Sequence, residues 1–507
     1  MTTGSYMSVD LAIAAAGWNY LGTGLRIVSQ LAAQIALARL VGPDAFGIMA
    51  LTVLPVALGS LAAELGLGSA LVQKRDLGPD EFCSVWSRTA LAGLVITVLL
   101  FLAAPAISLL LGEPRMAPVL RSMAPVVLLN ALSVVPLAKL KRELDLKRVQ
   151  LAQLGGYLTG FVGVGILAAW GGAGVWALVA AWLTFSAVSL LLALRFSGLR
   201  LRFAAPLFMG GDTGRFGRSI LLTNISNWAV ENLDNLVVGR LFGARQLGLY
   251  SVSYNLVRTP ANHLVQSLQA ALFPASARAF DNPALLKRGY LAVVCAVSLV
   301  AFPLFLTVAA LSHSVVLALF GSQWQAAGSV LMPLSLAMAC HCLMAVAGPV
   351  LAGKGRPEIE LRVQVWTGLL FVGVLFAVAG SSVQVVAWAV LAVYLLRVVW
   401  MTSSAVRELQ IPAGSFFRTL RGPVVLASFV LGAVLAVESI LLWQSVTSAL
   451  FCLSASLVTA TLLVIALVWL WPGFFLVADL RAGVARICET HPFLKGVSFV
   501  RRIAQAE

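Results

Sequence analysis

The feature that most constrains this chain is its supply of apolar runs, each about 20 residues or longer, the length a helix needs to cross a bilayer. Fourteen such windows are present: 12–38, 46–72, 86–111, 117–138, 151–170, 173–195, 216–239, 247–272, 289–319, 326–352, 361–380, 383–405, 422–443 and 447–471. The windows leave only short connections, so no sizeable extramembrane domain fits between them. Of the 507 residues, 60% are hydrophobic and only 11% are charged, against about 25% charged in a soluble domain. A string of soluble domains could not hide that much apolar surface. Six cysteines in the whole chain exclude a disulfide scaffold, and the absence of polar low-complexity tracts excludes disorder. The expected class is an all-α integral membrane protein of about 14 transmembrane helices.

The basic residues orient those helices. The net charge is +15, which in a soluble protein would suggest nucleic acid. Here 28 of the 35 Lys and Arg residues fall in alternate connections and in the tail, as cytoplasmic loops require. The 4–5 connection, with Lys139, Lys141, Arg142, Lys147 and Arg148, is typical. Both termini of this multi-pass chain are therefore expected in the cytoplasm. Met1 to Asp10 has no Lys or Arg, so 12–38 reads as a retained first helix rather than a signal peptide.

An internal repeat narrows the architecture. Arg39-Leu-Val-Gly-Pro-Asp-Ala-Phe-Gly-Ile48 follows the first window and Arg240-Leu-Phe-Gly-Ala-Arg-Gln-Leu-Gly-Leu249 follows the seventh, 201 positions later. A weaker echo pairs Leu111-Gly112 with Phe320-Gly321, and Pro136 to Lys141 with Pro349 to Lys354. Six helices per repeat is an even number, so both halves enter the membrane the same way round. That predicts two six-helix lobes in parallel repeat, a pseudo-twofold along the membrane normal, and a midplane cavity between them. The expected division is an N-lobe at 1–196, a cytoplasmic interlobe linker at 197–215 and a C-lobe at 216–405. Two added helices at 406–472 and a basic cytoplasmic tail at 473–507, with Phe474 and Phe475 on the inner leaflet, complete it.

Polar side chains inside the windows mark candidate sites, because each is costly in a bilayer. Asn19, Thr23, Arg26, Gln30 and Gln34 form one helical stripe in the first window, with Arg26 near its middle. The seventh carries Asn224, Asn227, Glu231 and Asp234, and the eighth carries Asn255, Arg258 and Asn262. Arginine forks suit phosphate oxygens and amides suit sugar hydroxyls, so the stripes fit a hydrated cavity for an anionic, polyol-rich substrate. The amides fit interhelical hydrogen bonding equally well. Glu64, Glu231 and Asp234 are candidates for ion pairs or for cation coupling, and an arginine partner is the favoured reading for Glu64.

Other motifs fail on geometry. Gly348 to Gly355 lacks the Ser/Thr of a P-loop and ends an apolar run. In Cys340-His341-Cys342 the two cysteines, at i and i+2 on a helix, do not share a face. Neither a metal site nor a cofactor is expected, and paired carboxylates placed for acid–base chemistry are lacking.

Several stretches resemble those of polysaccharide flippases in the polysaccharide transporter family of the MOP superfamily. They are Arg39 to Ile48, Ala63-Glu-Leu-Gly-Leu-Gly-Ser-Ala-Leu-Val-Gln73, Gly171-Gly-Ala-Gly-Val-Trp-Ala-Leu-Val179, Asp234-Asn-Leu-Val-Val-Gly239 and Gly248-Leu-Tyr250. The resemblance implies a MATE-like fold, alternating access, and transfer of undecaprenyl-pyrophosphate-linked oligosaccharide from the cytoplasmic to the periplasmic leaflet. It also implies surface polysaccharide biosynthesis (O-antigen, capsule or exopolysaccharide) and a non-enzymatic role beside polymerase and export machinery, with Arg26 and Arg258 as the local counterparts of cavity arginines. A cation-coupled multidrug exporter of the same superfamily is the alternative, and a membrane polysaccharide polymerase a more distant one.

Overall fold

The computed structural model describes residues 24–73, 78–199, 202–204, 212–278, 283–378, 380–443 and 448–482. All regular structure among them is helical. In order the helices are α1 (Gly24–Val41), α2 (Pro43–Glu64), α3 (Leu67–Gln73), α4 (Pro79–Leu110), α5 (Met116–Met123) and α6 (Pro125–Arg142). Next come α7 (Leu146–Tyr157), continued by a π-helical stretch at Leu158–Gly165 and by α8 (Ile166–Trp170), then α9 (Val175–Ser197) and α10 (Asp212–Arg278). They are followed by α11 (Pro283–Ala310), α12 (Ser312–Phe320), α13 (Ala327–Met344), α14 (Ala347–Gly353), α15 (Pro357–Ala377), α16 (Val383–Glu408), α17 (Ala413–Trp443), α18 (Ala449–Leu470) and α19 (Pro472–Phe475). The chain divides into two compact units, Met1–Ser251 and Val252–Glu507.

Twelve helical segments among the described residues are long and apolar enough to cross a membrane, and they coincide with twelve of the expected windows. The windows 216–239 and 247–272 form the two arms of α10, whose amides, carboxylates and arginines dilute their hydropathy. Gly243, at φ 80° and ψ 175°, breaks α10 between those arms. The window 289–319 is two helices rather than one, because α11 stops at Ala310 and α12 restarts at Ser312. The window 117–138 passes through Ala124 with helical φ −53° and ψ −39° and runs on to Arg142, four residues beyond its expected end. Of the expected linker, 197–215, residues 200–201 and 205–211 lie outside the described residues, and 212–215 already belong to α10.

The sequence repeat returns as repeated local geometry. Gly42 has φ 84° and ψ 168°, close to Gly243 one repeat later. Only glycine holds such a backbone without strain. Within the first unit the two turns seat each other reciprocally. A Cβ on Gly47 would lie 1.6 Å from the Ala244 carbonyl oxygen, and one on Gly248 would lie 1.9 Å from that of Pro43. Residues 43 and 244, like 47 and 248, stand in the 201-residue register.

A second correspondence lies at the basic ends of the helices. After α6, the Glu143, Leu144 and Asp145 amides donate to the Lys139, Lys141 and Leu140 carbonyls; after α14, Lys354, Gly355 and Arg356 donate to Val350, Ala352 and Leu351. These matching C-terminal turns are 211 positions apart, not the 213 of the Pro136/Pro349 echo. Lys139 Nζ donates to the carbonyl of Ser197, the last residue of α9, and Lys354 Nζ to that of Glu408, the last of α16. Arg142 donates to the Leu71 carbonyl in α3. These basic side chains thus satisfy orphan carbonyls at helix C-termini.

The last two long helices are tied into the second unit. Ser314 in α12 donates to the Glu438 carboxylate in α17 at 2.6 Å. At the other end of α17, Arg421 lies over the Phe474 ring and the Cys295 thiol donates to the Phe475 carbonyl. Phe475 is 3% exposed, so it packs into protein rather than onto a leaflet as expected.

Candidate functional site

The site begins with a helix that cannot continue. After Glu64, Leu65 (φ 55°) and Gly66 (φ 67°) are both left-handed, which ends α2 and lets α3 leave at a new angle. Leu65 is not a glycine, and its conformation costs about 1–3 kcal/mol. Its side chain packs against the cluster of Leu67, Leu71, Val85, Val135 and Ala138, which offsets that cost. The break folds the Glu64 carboxylate over Gly68, where a Cβ would lie 2.6 Å from Oε1.

That carboxylate lines a cavity of about 590 Å³ inside the first unit, walled by α2, α3, α6, α7 and α9. Lys141, Asn130, Gln153, Ser186 and Phe185 line it as well. Lys141 is the cation acting on Glu64, in place of the arginine favoured from sequence. Asn130 Nδ2 donates to Ser60 Oγ at 3.2 Å. Ser186 is 2% exposed and its hydroxyl has no hydrogen-bond partner. From α1, Arg26 Nη1 donates to Gln153 Oε1, so the first-window arginine reaches the rim of the same cavity. The fifth and sixth spans meet closely behind it. A Cβ on Gly160 would lie 2.6 Å from the Ala181 carbonyl, and Tyr157, Phe161, Trp182 and Phe185 form one aromatic cluster.

The other expected residues disperse. Asn19 lies outside the described residues, as do the side chains of Asn227 and Glu231. Gln30, Gln34 and Asn224 are half-buried on their helices. Asp234 is buried and accepts a 2.7 Å hydrogen bond from the Tyr250 hydroxyl across the Gly243 break, so it holds the two arms of α10 together. In the second unit Asn255 is exposed and Asn262 half-buried. The Arg258 guanidinium sits 5.3 Å from the centre of the Tyr254 ring, and Arg258 and Arg397 both act electrostatically on His341. His341 stands edge-on to Tyr394. No group of three or more His, Cys, Asp or Glu among the described residues could hold a metal ion.

Lys141, Asn130, Gln153 and Ser186 escape a sequence reading for different reasons. Lys141 reads as a loop residue when the fourth span is ended at 138. The other three are single polar residues in apolar runs, a signal that shows only when each is followed to its neighbours.

Outside the spans, Arg115 bridges Asp44 at 2.8 Å and Glu113 at 2.7 Å. Those hydrogen bonds, first to Glu113 and then to Asp44, hold its guanidinium even more firmly protonated than usual.

These features define a polytopic helical membrane protein with a charged and amide-lined cavity inside one bundle. By its match over residues 36–329, the chain belongs to the polysaccharide biosynthesis protein family Polysacc_synt_3. It is 25% identical over 377 residues to the lipopolysaccharide biosynthesis protein WzxC of Escherichia coli, covering 72% of this chain and 74% of that one. It is 26% identical over 382 residues to the succinoglycan biosynthesis transport protein ExoT of Rhizobium meliloti, covering 73% and 76%. Its fold is shared with the lipid II flippase MurJ in an inward closed conformation, with a TM-score of 0.69 at 11% identity over 89% of this chain and 98% of that one. An inward-facing multidrug resistance MATE transporter of the MOP superfamily superposes with a TM-score of 0.60 at 18% identity, over 79% and 99%.

Proposed function

We propose that the protein flips undecaprenyl-pyrophosphate-linked oligosaccharide from the cytoplasmic to the periplasmic leaflet of a bacterial inner membrane, for surface polysaccharide biosynthesis. The observation that carries this reading is Arg26, a guanidinium within a span, bonded to Gln153 at a polar cavity. Membership of a polysaccharide biosynthesis family, and similarity to a named succinoglycan transport protein, support it.

The physical task is to carry a charged, hydrated head group past hydrocarbon. Guanidinium groups within the spans, Arg26 in the first unit and Arg258 and Arg397 in the second, are donors of the kind that replaces water around phosphate oxygens. The lipid tail stays in the bilayer while two six-helix lobes, spans 1–6 and 7–12 of fourteen, rock about the head group. An orientation with both termini in the cytoplasm is supported by the basic residues at one set of helix ends. Release on the far side hands the head group to a polymerase. No bond is made or broken, so the role is that of a transporter rather than an enzyme.

The test is deletion of the gene in its host, with lipid-linked oligosaccharide quantified in each leaflet. Intermediates trapped on the cytoplasmic side, released by wild type but not by Arg26→Ala at equal membrane abundance, are the expected result. Normal outward delivery without the gene refutes the reading. Drug hypersensitivity of the same strain would then favour multidrug export.

A further inference from the structure

We infer that the cavity inside the first unit is a carbohydrate subsite, holding about one or two pyranose rings of the transported head group beyond the sugar attached to the pyrophosphate. The inference rests on the function proposed above and locates part of its specificity. At about 590 Å³ the cavity lies within the ~300–1,000 Å³ range of ligand sites.

Its lining selects by charge and by hydrogen bonding. Lys141 and Glu64 face the same space, so a pyrophosphate would meet a carboxylate, a drug cation would meet an ammonium, and a lipid tail would meet both. A neutral, hydroxyl-rich ligand meets no such conflict, because each hydroxyl both donates and accepts. Arginine can only donate, so its bond to Gln153 fixes the amide oxygen toward Arg26 and leaves the Gln153 NH₂ as a donor. Asn130 donates to Ser60, which leaves its oxygen as an acceptor. Ser186 adds a buried hydroxyl that lines the cavity with no partner among the described residues, and is open to bond a ligand there. Phe185 supplies an apolar wall for the C–H face of a ring. Arg26 acts on the sugar as a positioning residue, through Gln153.

The test uses the full chain in proteoliposomes and two probes. One is the lipid-linked repeat unit extracted from a host lacking its polymerase, and the other is the same lipid pyrophosphate carrying a single sugar. Val134→Phe and Leu137→Trp narrow the cavity from its apolar wall. Each is expected to slow flipping of the full unit at least about tenfold while the single-sugar carrier moves at the wild-type rate, which also shows that the variant is folded. In a second measurement, maleimide labelling of Ser69→Cys at the exposed edge of the cavity is expected to be blocked by the full unit and not by the single-sugar carrier. Equal slowing of both probes, or wild-type rates for both, overturns the subsite, as does labelling that neither probe blocks. If wild type moves neither probe, the flippase reading itself fails and the subsite fails with it.

Discussion

Replacing Gly47 by alanine places a methyl group where the Ala244 carbonyl oxygen already stands. The added Cβ would start 1.6 Å from that oxygen, and ordinary contact begins at 3.4 Å, so the two turns must separate by about 1.8 Å. The obstacle is backbone, which cannot rotate aside as a side chain would. The cost therefore falls toward the upper part of the ~1–3 kcal/mol range for overpacking. Gly248→Ala meets the Pro43 carbonyl at 1.9 Å and carries a similar cost. The two contacts belong to one reciprocal seat, and the separation forced by either methyl relieves the other. The double variant should then lose little more than one single variant, a coupling of ~1–3 kcal/mol. Thermal unfolding of purified protein in detergent reads this out, at roughly 2–4 °C per kcal/mol or less for a chain of this size. Single variants melting within about 1 °C of wild type, or a double variant whose loss equals the sum of the singles, would refute the reciprocal-seat argument.

Tyr250→Phe removes the hydrogen bond to buried Asp234 and should destabilise the protein by ~1.5–3 kcal/mol in the same unfolding assay. Arg115→Met breaks an ion trio in which Arg115 and Asp44 are exposed and Glu113 is buried; the exposed Asp44 pair should account for no more than ~1 kcal/mol, a part that high salt erases, while the loss at Glu113 persists. Because the folded-state pKa of Arg115 is raised, its contribution is complete below the ordinary arginine pKa and disappears only as pH rises through the folded value. Stability of wild type and Arg115→Met should thus differ by a constant between roughly pH 5 and pH 9. Gly68→Ala pushes the Glu64 carboxylate off its seat and should lower flipping at unchanged membrane abundance; wild-type transport would show that the seat is not used.

Much of the fold is legible because lipid allows few options: a long apolar run becomes a helix, and the windows fail mainly at their ends. Those ends decide the site. Lys141 belongs to the cavity only because α6 continues past the last apolar residue, its charge offset by Glu64 and its terminal turn closed by Leu144 at φ 57°. The stripe reading located Arg26 but not its partner, since the distance from 26 to 153 along the chain says nothing about helix neighbours. For Asp234, a carboxylate in a polar stripe suggested an ion pair or cation coupling, and its bond to Tyr250, sixteen positions on, could not be read from the stripe. Glycine spacing was the more reliable guide, because a positive φ or a close backbone approach leaves no other residue to use.

The mutual seat of Gly47 and Gly248 also bears on how such a chain could arise. An interface in which each turn offers the other the same glycine and the same carbonyl is what a twofold homodimer contact becomes once both copies share one polypeptide. In a half-length ancestor a single substitution would have struck both seats together, whereas in the fused chain each seat changes alone. Pro43 and Ala244 have already parted company, and so have Asp44 and Arg245 beside them. Duplication would thus have given the molecule what a symmetric dimer cannot have: two turns free to acquire opposite charges, Asp44 in one and Arg245 in the other, while each keeps its glycine, Gly47 and Gly248.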